Sequence, residues 1–287
     1  MASPPGRLNV SSRASESNHS LPAKFCEITK ELTDQVESFR NRPLETEYPV
    51  IWIDALYERV RGEGRVMSIA IAVVQGLNRE GNREILAVEP MYAESEETST
   101  RLFESLKSRG VEKGWLSVSD AHTGLKKAIQ KCFLGASWQR CKVHFMRNLL
   151  AHIPYKEKEA FAAQVKQIWQ QPNQDLARCY ALGVIQEYGD RFPQAIALFE
   201  EGREDSLQFL AFPLLNRRKL SSTNPLERVH KEIRCRTRVV GIFPNTDSYL
   251  RLVTSYLIEY TEDWVSSRKY ISPETIEEQR TKLPKVA

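Results

Sequence analysis

WLSVSDAHTGLKKAI, residues Trp115 to Ile129, is the stretch whose reading decides the fold. Trp115–Ser119 reads as a short buried strand, and Thr123–Cys132 reads as a helix. Asp120 stands between them. A strand that passes at once into a helix is half of a β-α-β unit, and such units imply a parallel neighbour and a right-handed crossover. Asp120 itself has two readings. It caps the helix that follows, or it holds a cation at the C-terminal edge of a sheet, where open α/β sheets place their sites.

The flanking sequence extends the pattern. Upstream, Glu96–Arg109 is helical, with Leu102, Phe103 and Leu106 facing inward and Gly110 as a stop. Downstream, Ala136–Gln139 reads as a short strand and Cys141–His152 as a helix. Further upstream the rhythm is different. Tyr48–Ile53, Val66–Val74 and Glu84–Val88 are apolar runs with short polar links, which predicts a three-strand antiparallel meander. Val66–Val74 is nearly all apolar and is expected to be buried on both faces. The first run ends at Asp54. Alone, Asp54 reads as a turn residue at a strand end. If the first and fourth strands are neighbours, Asp54 and Asp120 lie side by side. Adjacent carboxylates repel unless a proton or cation lies between them, and Mg²⁺ suits such a pair.

Residues 154–215 carry no strand signal. Tyr155–Gln171, Gln174–Tyr188, Pro193–Glu201 and Glu204–Phe212 are helix patterns broken at Pro172, Pro193 and Pro213, so an all-helical insertion is expected. After it, TNPLE fits a capping box with Asn224 as cap, Pro225 at the first helical position and Glu227 at the third. Glu227, Lys231 and Arg234 then share one helix face, opposite the apolar stripe of Leu226, Val229 and Ile233. A carboxylate on a basic face suits an acid working beside a phosphate backbone.

Hydrophobic content of 41% and charged content of 27% are those of an ordinary globular protein. No run is apolar enough for a membrane helix, and the N-terminus has no apolar core of a secretory signal. Five well-separated cysteines do not suggest a disulfide framework, so a reducing intracellular compartment is expected. The formal net charge is only +4. Yet eight Lys/Arg lie between Asn216 and Arg238, against two glutamates. That concentration points to a polyanion such as nucleic acid, or to a solvated basic helix face. Residues 1–23 are rich in Ser, Pro and Asn and read as a disordered tail. Phe25, Ile28, Leu32, Val36 and Phe39 mark one face of a leading helix, within a segment spanning 24–46. The remaining boundaries expected are a first part of the core at 47–153, the insertion at 154–218, the rest of the core at 219–272 and a C-terminal tail at 273–287.

WIDALYERVR, VSDAHTGLKKAI, WQRCKVHFMRNLL, TNPLERVHKEI and RTRVVGIFPN, in that order, resemble the signatures of Mutator-type DDE transposases of bacterial insertion sequences. The resemblance covers roughly residues 28–272. It implies a ribonuclease H-like fold with a helical insertion before the last catalytic acid. It implies that Asp54, Asp120 and Glu227 are the catalytic, metal-binding triad, with Mg²⁺ (or Mn²⁺) as cofactor. Two-metal chemistry would cleave a DNA strand and pass the freed 3′-hydroxyl to target DNA. Arg228, Lys231, Arg234, Arg236 and Arg238 would meet DNA phosphates. Cys141 and His144 match a Cys-x-x-His motif of the family and, with Asn224, support the site. A zinc reading of that pair needs two further ligands, and no second CxxC or HxxxH appears. The implied partners are transposon ends and target DNA, bound by a homo-oligomer in the cytoplasm at the nucleoid.

This chain departs from the family pattern in places. Ser221–Asn224 stands where an Arg-Thr-Thr-Asn run is frequent, His230 where Asn is frequent, and Cys235 where Arg is. Arg203 and Arg217 replace aromatics. Family members usually carry a helix-turn-helix region well before the first aspartate. Only 53 residues precede Asp54 here, so the expectation is a truncated chain with poor recognition of transposon ends. Trp138 and Trp169 are candidates for base stacking, although core packing explains both. The rival readings are a non-catalytic remnant that binds DNA, and a nuclease that cuts without joining.

Overall fold

The computed structural model describes residues 21–62, 64–91, 95–133, 135–266 and 268–283. Helix α1 spans Leu21–Asn41. The Phe25 side chain and most of the expected N-terminal tail lie outside the described residues, but helical backbone already begins at Leu21. The end of α1 docks on the sheet and on a later helix through Val36, which is buried, and Phe39. Arg42 stacks on Phe39 at 4.0 Å and pairs with Glu84 at 2.7 Å, which fixes that end. Ile28 and Leu32 are exposed. The apolar stripe is therefore covered only in its C-terminal half.

The sheet has five strands in the order β3-β2-β1-β4-β5. They are β1 (Glu47–Gly62), β2 (Arg65–Leu77), β3 (Arg83–Met91), β4 (Lys113–Ser119) and β5 (Ser137–Arg140). β1, β2 and β3 form the expected antiparallel meander, while β4 and β5 add parallel to β1. This is a mixed α/β fold. One expectation needs correction: β1 does not stop at Asp54. Its parallel pairing with β4 ends at Trp52↔Val118, but its pairing with β2 continues to Gly62↔Arg65. The extra length forms a long two-stranded arm, so Asp54 is a strand residue rather than a turn residue. β2 is buried without interruption only from Ile69 onward, because Val66 lies on that arm and is exposed.

Helices α2 (Glu96–Ser108) and α3 (Thr123–Cys132) cover one face of the sheet. Phe103 and Phe133 meet edge-to-face there at 5.4 Å. The other face is covered by α4 (Lys142–Ala151), the helical insertion and the last helices. Trp52, Leu56 and Phe145 belong to that second core. Fully burying a Leu or Phe side chain contributes about 1.5–3 kcal/mol each, so both layers contribute to stability.

The insertion contains α5 (Lys158–Gln170), α6 (Gln174–Tyr188) and α7 (Pro193–Gly202). The helix expected over Glu204–Phe212 is instead two 3₁₀ turns, Glu204–Ser206 and Gln208–Ala211. The cause is Gln139 on β5. Its amide donates to the Ser206 carbonyl at 3.0 Å, and its oxygen accepts from the Phe209 amide at 2.8 Å. A buried side chain thus takes backbone groups that an α-helix would need. Short α8 (Arg217–Leu220) leads to α9 (Asn224–Val240) and α10 (Thr246–Ser266). Part of the expected C-terminal tail is also a helix, α11 (Pro273–Thr281). It is capped by Ser272 and held by buried Ile276 and by Gln279, which accepts from the Leu214 amide at 3.1 Å. Residues 284–287 lie outside the described residues. No described helix is long and apolar enough to cross a membrane.

Candidate active site

The parallel register brings the two aspartates together. Trp52 pairs with Val118, and two residues further along each strand stand Asp54 and Asp120. Strand alternation puts Asp54 on the same face as Trp52 and Leu56, toward α9. Asp120 does not cap α3: that helix begins at Thr123 with His122 at its cap. Among the described residues the Asp120 carboxylate accepts only from the adjacent Ala121 amide, at 2.7 Å, and its side chain is 49% exposed. The capping reading of Asp120 is therefore not what the structure uses.

The capping box expected around Glu227 does not form either. α9 begins at Asn224, with Thr223 at the cap and no side-chain capping bond. Cys141 explains the difference. The Thr223 amide and hydroxyl both donate to its sulfur at 3.4 Å. The Lys142 amide also donates to the Ser221 carbonyl at 3.0 Å, which ties the start of α4 to the start of α9. Asn224 is left exposed. Glu227 is released from local duty, and its carboxylate turns toward α4.

His144 stands between the acids. Its Nδ1 lies 3.9 Å from Asp120 Oδ2, and its Nε2 lies 3.9 Å from Glu227 Oε1. Interaction with the Cys141 sulfur raises the His144 pKa to about 9 against the opposing effect of burial, and the charges of Asp120 and Asp54 add to the rise. Among the described residues Nδ1 has no hydrogen-bond partner, so its approach to Asp120 is electrostatic. Burial pushes the Cys141 thiol up, but His144 and Thr223 outweigh it and the net shift is downward. His230, one turn beyond Glu227, is buried with Nδ1 3.6 Å from Asp54 Oδ2. Burial first, then Arg234 and His144, lower its pKa to about 4. Asp54 is raised to about 6. Burial is the main cause, and Asp120 and Glu227 add to it against His144 and the Ala55 amide, which donates to Asp54 at 3.1 Å.

Two observations bear on a cation at this site. The buried Asp54 carboxyl is penalised by burial and by two neighbouring acids, which a divalent ion would relieve. The donors are carboxylate oxygens, the ligands Mg²⁺ and Mn²⁺ prefer. The side chains as they stand do not bring three donors to one point among the described residues. The chemistry of the donor set fits, with Asp120 and Glu227 half-exposed. On the other side of Asp54 and Asp120 a cavity of about 230 Å³ opens, lined in part by Ala72, Met91 and Leu125.

The description "Transposase, Mutator family" fits residues 15–267. The chain belongs to this family. It is 40% identical over 249 residues to the transposase for insertion sequence element IS256 in transposon Tn4001 of Staphylococcus aureus, covering 85% of this chain and 64% of that protein. It is 37% identical over 253 residues to the transposase for ISRM5 of Rhizobium meliloti, covering 88% and 64%. It is 36% identical over 257 residues to the transposase for IS1081 of Mycobacterium tuberculosis, covering 89% and 62%. This Mutator-family chain thus spans 62–64% of the length of these relatives.

The basic residues expected to meet DNA, Arg228, Lys231, Arg234, Arg236 and Arg238, are all exposed on α9. Arg236 is engaged locally: it pairs with Glu232 at 3.1 Å and covers Tyr256 at 4.0 Å. Trp138 and Trp169 are buried and donate to Ser119 and Ser206 at 2.8 and 3.1 Å, which makes them core residues. Arg217 donates to the carbonyls of Gln171 and Pro172 at 2.8 and 2.6 Å and staples the α5–α6 turn. His230 was legible only as a departure from the family pattern. Its spacing of three from Glu227 is the signal that places it on the acid side of α9.

Proposed function

We propose that this Mutator-family chain carries the catalytic centre of a DDE-class DNA transposase. It cuts strands at the ends of an insertion sequence and transfers the freed 3′-hydroxyl to target DNA. One observation carries the reading: Asp120 and Glu227, distant in sequence, both approach His144, Asp54 approaches His230 one turn beyond Glu227, and neither Asp120 nor Glu227 serves as a helix cap. The mixed strand order, with a helical insertion before Glu227, supports a ribonuclease H-like architecture.

Asp54 and Asp120 would hold Mg²⁺ (or Mn²⁺), with Glu227 completing the set. Such an ion supplies Lewis-acid polarisation of the phosphate and a more acidic bound water. The chain's own groups do the positioning. The Ala55 amide and His230 hold Asp54, while His144 spaces Asp120 from Glu227 and sets positive charge between them. Lys231, Arg234 and Arg238 continue the Glu227 face of α9 and neutralise the DNA backbone, with Arg228 and Arg236 beside them. Two transposon ends need two such centres, so a homo-oligomer on DNA at the nucleoid belongs to this reading.

The test is incubation of the purified chain with the neighbouring genomic DNA ends. The expected result is Mg²⁺- or Mn²⁺-dependent cleavage leaving 3′-hydroxyls, followed by joining to a target plasmid, both abolished by EDTA. Cleavage without joining would instead indicate a nuclease. DNA binding without cleavage would indicate a non-catalytic remnant.

A further inference from the structure

A second cluster of like charge gathers around Tyr270 and the start of β3. Arg83 opens β3, where Leu77 pairs with it and with Val50 near the start of β1. Its guanidinium lies 4.3 Å from the centre of the Trp264 ring and 4.6 Å from that of Tyr270. Lys219 Nζ lies 4.1 Å from the Tyr270 ring and donates to the Tyr270 carbonyl. Tyr270 is itself fixed. Its amide donates to the Gly81 carbonyl at 2.8 Å, and Trp52 meets its ring edge-to-face at 5.9 Å. Gly81 has φ +81°, and a Cβ there would overlap the Ile271 carbonyl, so only glycine lets this turn and the Tyr270 segment meet. Arg268, two residues before Tyr270, and Arg228, next to Glu227, are exposed.

Among the described residues none of these four cations pairs with a carboxylate. Their surroundings make this notable. Arg79, on the same β2–β3 turn, pairs with Glu277 at 3.4 Å and approaches Glu47 at 3.8 Å. Arg280 approaches Glu47 at 3.9 Å. The fold thus supplies acids to cations nearby and none to this group. Burial lowers the Arg83 pKa against Tyr270 and Tyr260, and Arg228 adds a smaller lowering. Burial lowers that of Lys219, and Arg83 and Arg268 add to the effect. These cations feel one another's charge while aromatic rings hold two of them in place.

We propose that Arg83, Lys219, Arg228 and Arg268 form a second phosphate-binding surface that takes duplex DNA backbone leading away from the carboxylates. It rests on the transposase reading and is separate from the Lys231–Arg234 face of α9. Arg228 links the two regions, since it follows Glu227 directly. The rings pre-position Arg83 and Lys219, which reduces the ordering cost of binding. A group of cations without acids, two of them held against aromatic rings, matches a polyanion whose charges are spaced along a chain.

The test is a salt titration of binding to a fluorescently labelled duplex of random sequence, read by anisotropy, with circular dichroism as the folding control. The double change Lys219→Gln, Arg268→Gln is expected to shallow the slope of log K against log salt by about 0.9 for each phosphate no longer neutralised. This change in slope should add to that of a Lys231→Ala, Arg234→Ala variant. Arg83→Gln should act likewise. If it does not fold, Arg268→Gln alone, at an exposed position, still reports. A wild-type slope in the Lys219/Arg268 variant, with a shallower slope in the Lys231/Arg234 variant, would overturn this surface and leave the transposase reading standing. Absence of duplex binding by the wild-type chain would overturn both.

Discussion

Beyond the ends of the parallel strands three carboxylates lie near His144 and His230, while around Tyr270 and the start of β3 a group of cations gathers. Neither group is held together by attraction among its members. The acids are placed by the β1–β4 register and by the Cys141–Thr223 contact, and the cations by the Gly81 turn and the aromatic rings around Tyr270. The difference lies in burial. Asp54 is only 13% exposed and lies against His230, a setting that suits the proposed compact ion. Of the cations, Arg83 and Lys219 are half-buried against aromatic rings while Arg228 and Arg268 are exposed, a spread that suits the proposed extended polyanion. Like charges kept together by a fold cost stability without their ligand, and the size of the enclosure indicates the ligand's size.

The two regions should separate most sharply at Glu227. Glu227→Gln is expected to lower strand cleavage by about 10³-fold or more, as loss of one member of a catalytic unit does, while duplex binding persists. Loss of binding with the same substitution would mean that the acid end also holds the polyanion.

The next effect is on stability. Asp54 is raised from 3.8 to about 6, chiefly by burial. In the range between these values the folded chain keeps a proton that the unfolded chain has released. Metal-free stability therefore falls as pH rises from about 4 to about 6 and stays lowered above that. Asp54→Asn should recover at most about 3 kcal/mol at neutral pH. A lower melting temperature in the metal-free variant would contradict this.

Lys231→Ala with Arg234→Ala sharpens the other side. Affinity for many duplex sequences should weaken by similar factors, and the salt slope should shallow by about 1.8 if each residue meets one phosphate. An unchanged slope would mean these side chains are only solvated. The smallest effect expected is that of Thr223→Val. It removes the hydroxyl bond to Cys141 and should cost about 1 kcal/mol in denaturant unfolding. No change would show that the α4–α9 tie rests on backbone bonds alone.

Much of this arrangement was legible in the sequence because its signals are local. The Trp115–Cys132 strand and helix, the meander and the proline-broken insertion follow from short-range pattern. The neighbouring of Asp54 and Asp120 follows once β1 and β4 are paired. The misreadings came where a distant side chain competes with local preference. TNPLE reads as a capping box, but Cys141 takes the Thr223 hydroxyl and shifts the helix start. Glu204–Phe212 reads as a helix, but Gln139 takes its backbone groups. The extension of β1 past Asp54 depends on pairing with β2, and the Arg83 cluster joins residues from four separate segments. No window of sequence contains either.

In the proposed mechanism Asp54, Asp120 and Glu227 act as one site. The most direct measurement is Mg²⁺-dependent cleavage of transposon-end DNA by Asp54→Asn, Asp120→Asn and the double variant, each with unchanged circular dichroism. If the acids form one unit, each single substitution abolishes cleavage and the double is no worse. Substantial activity in each single variant, with a double variant much worse than either, would contradict the account.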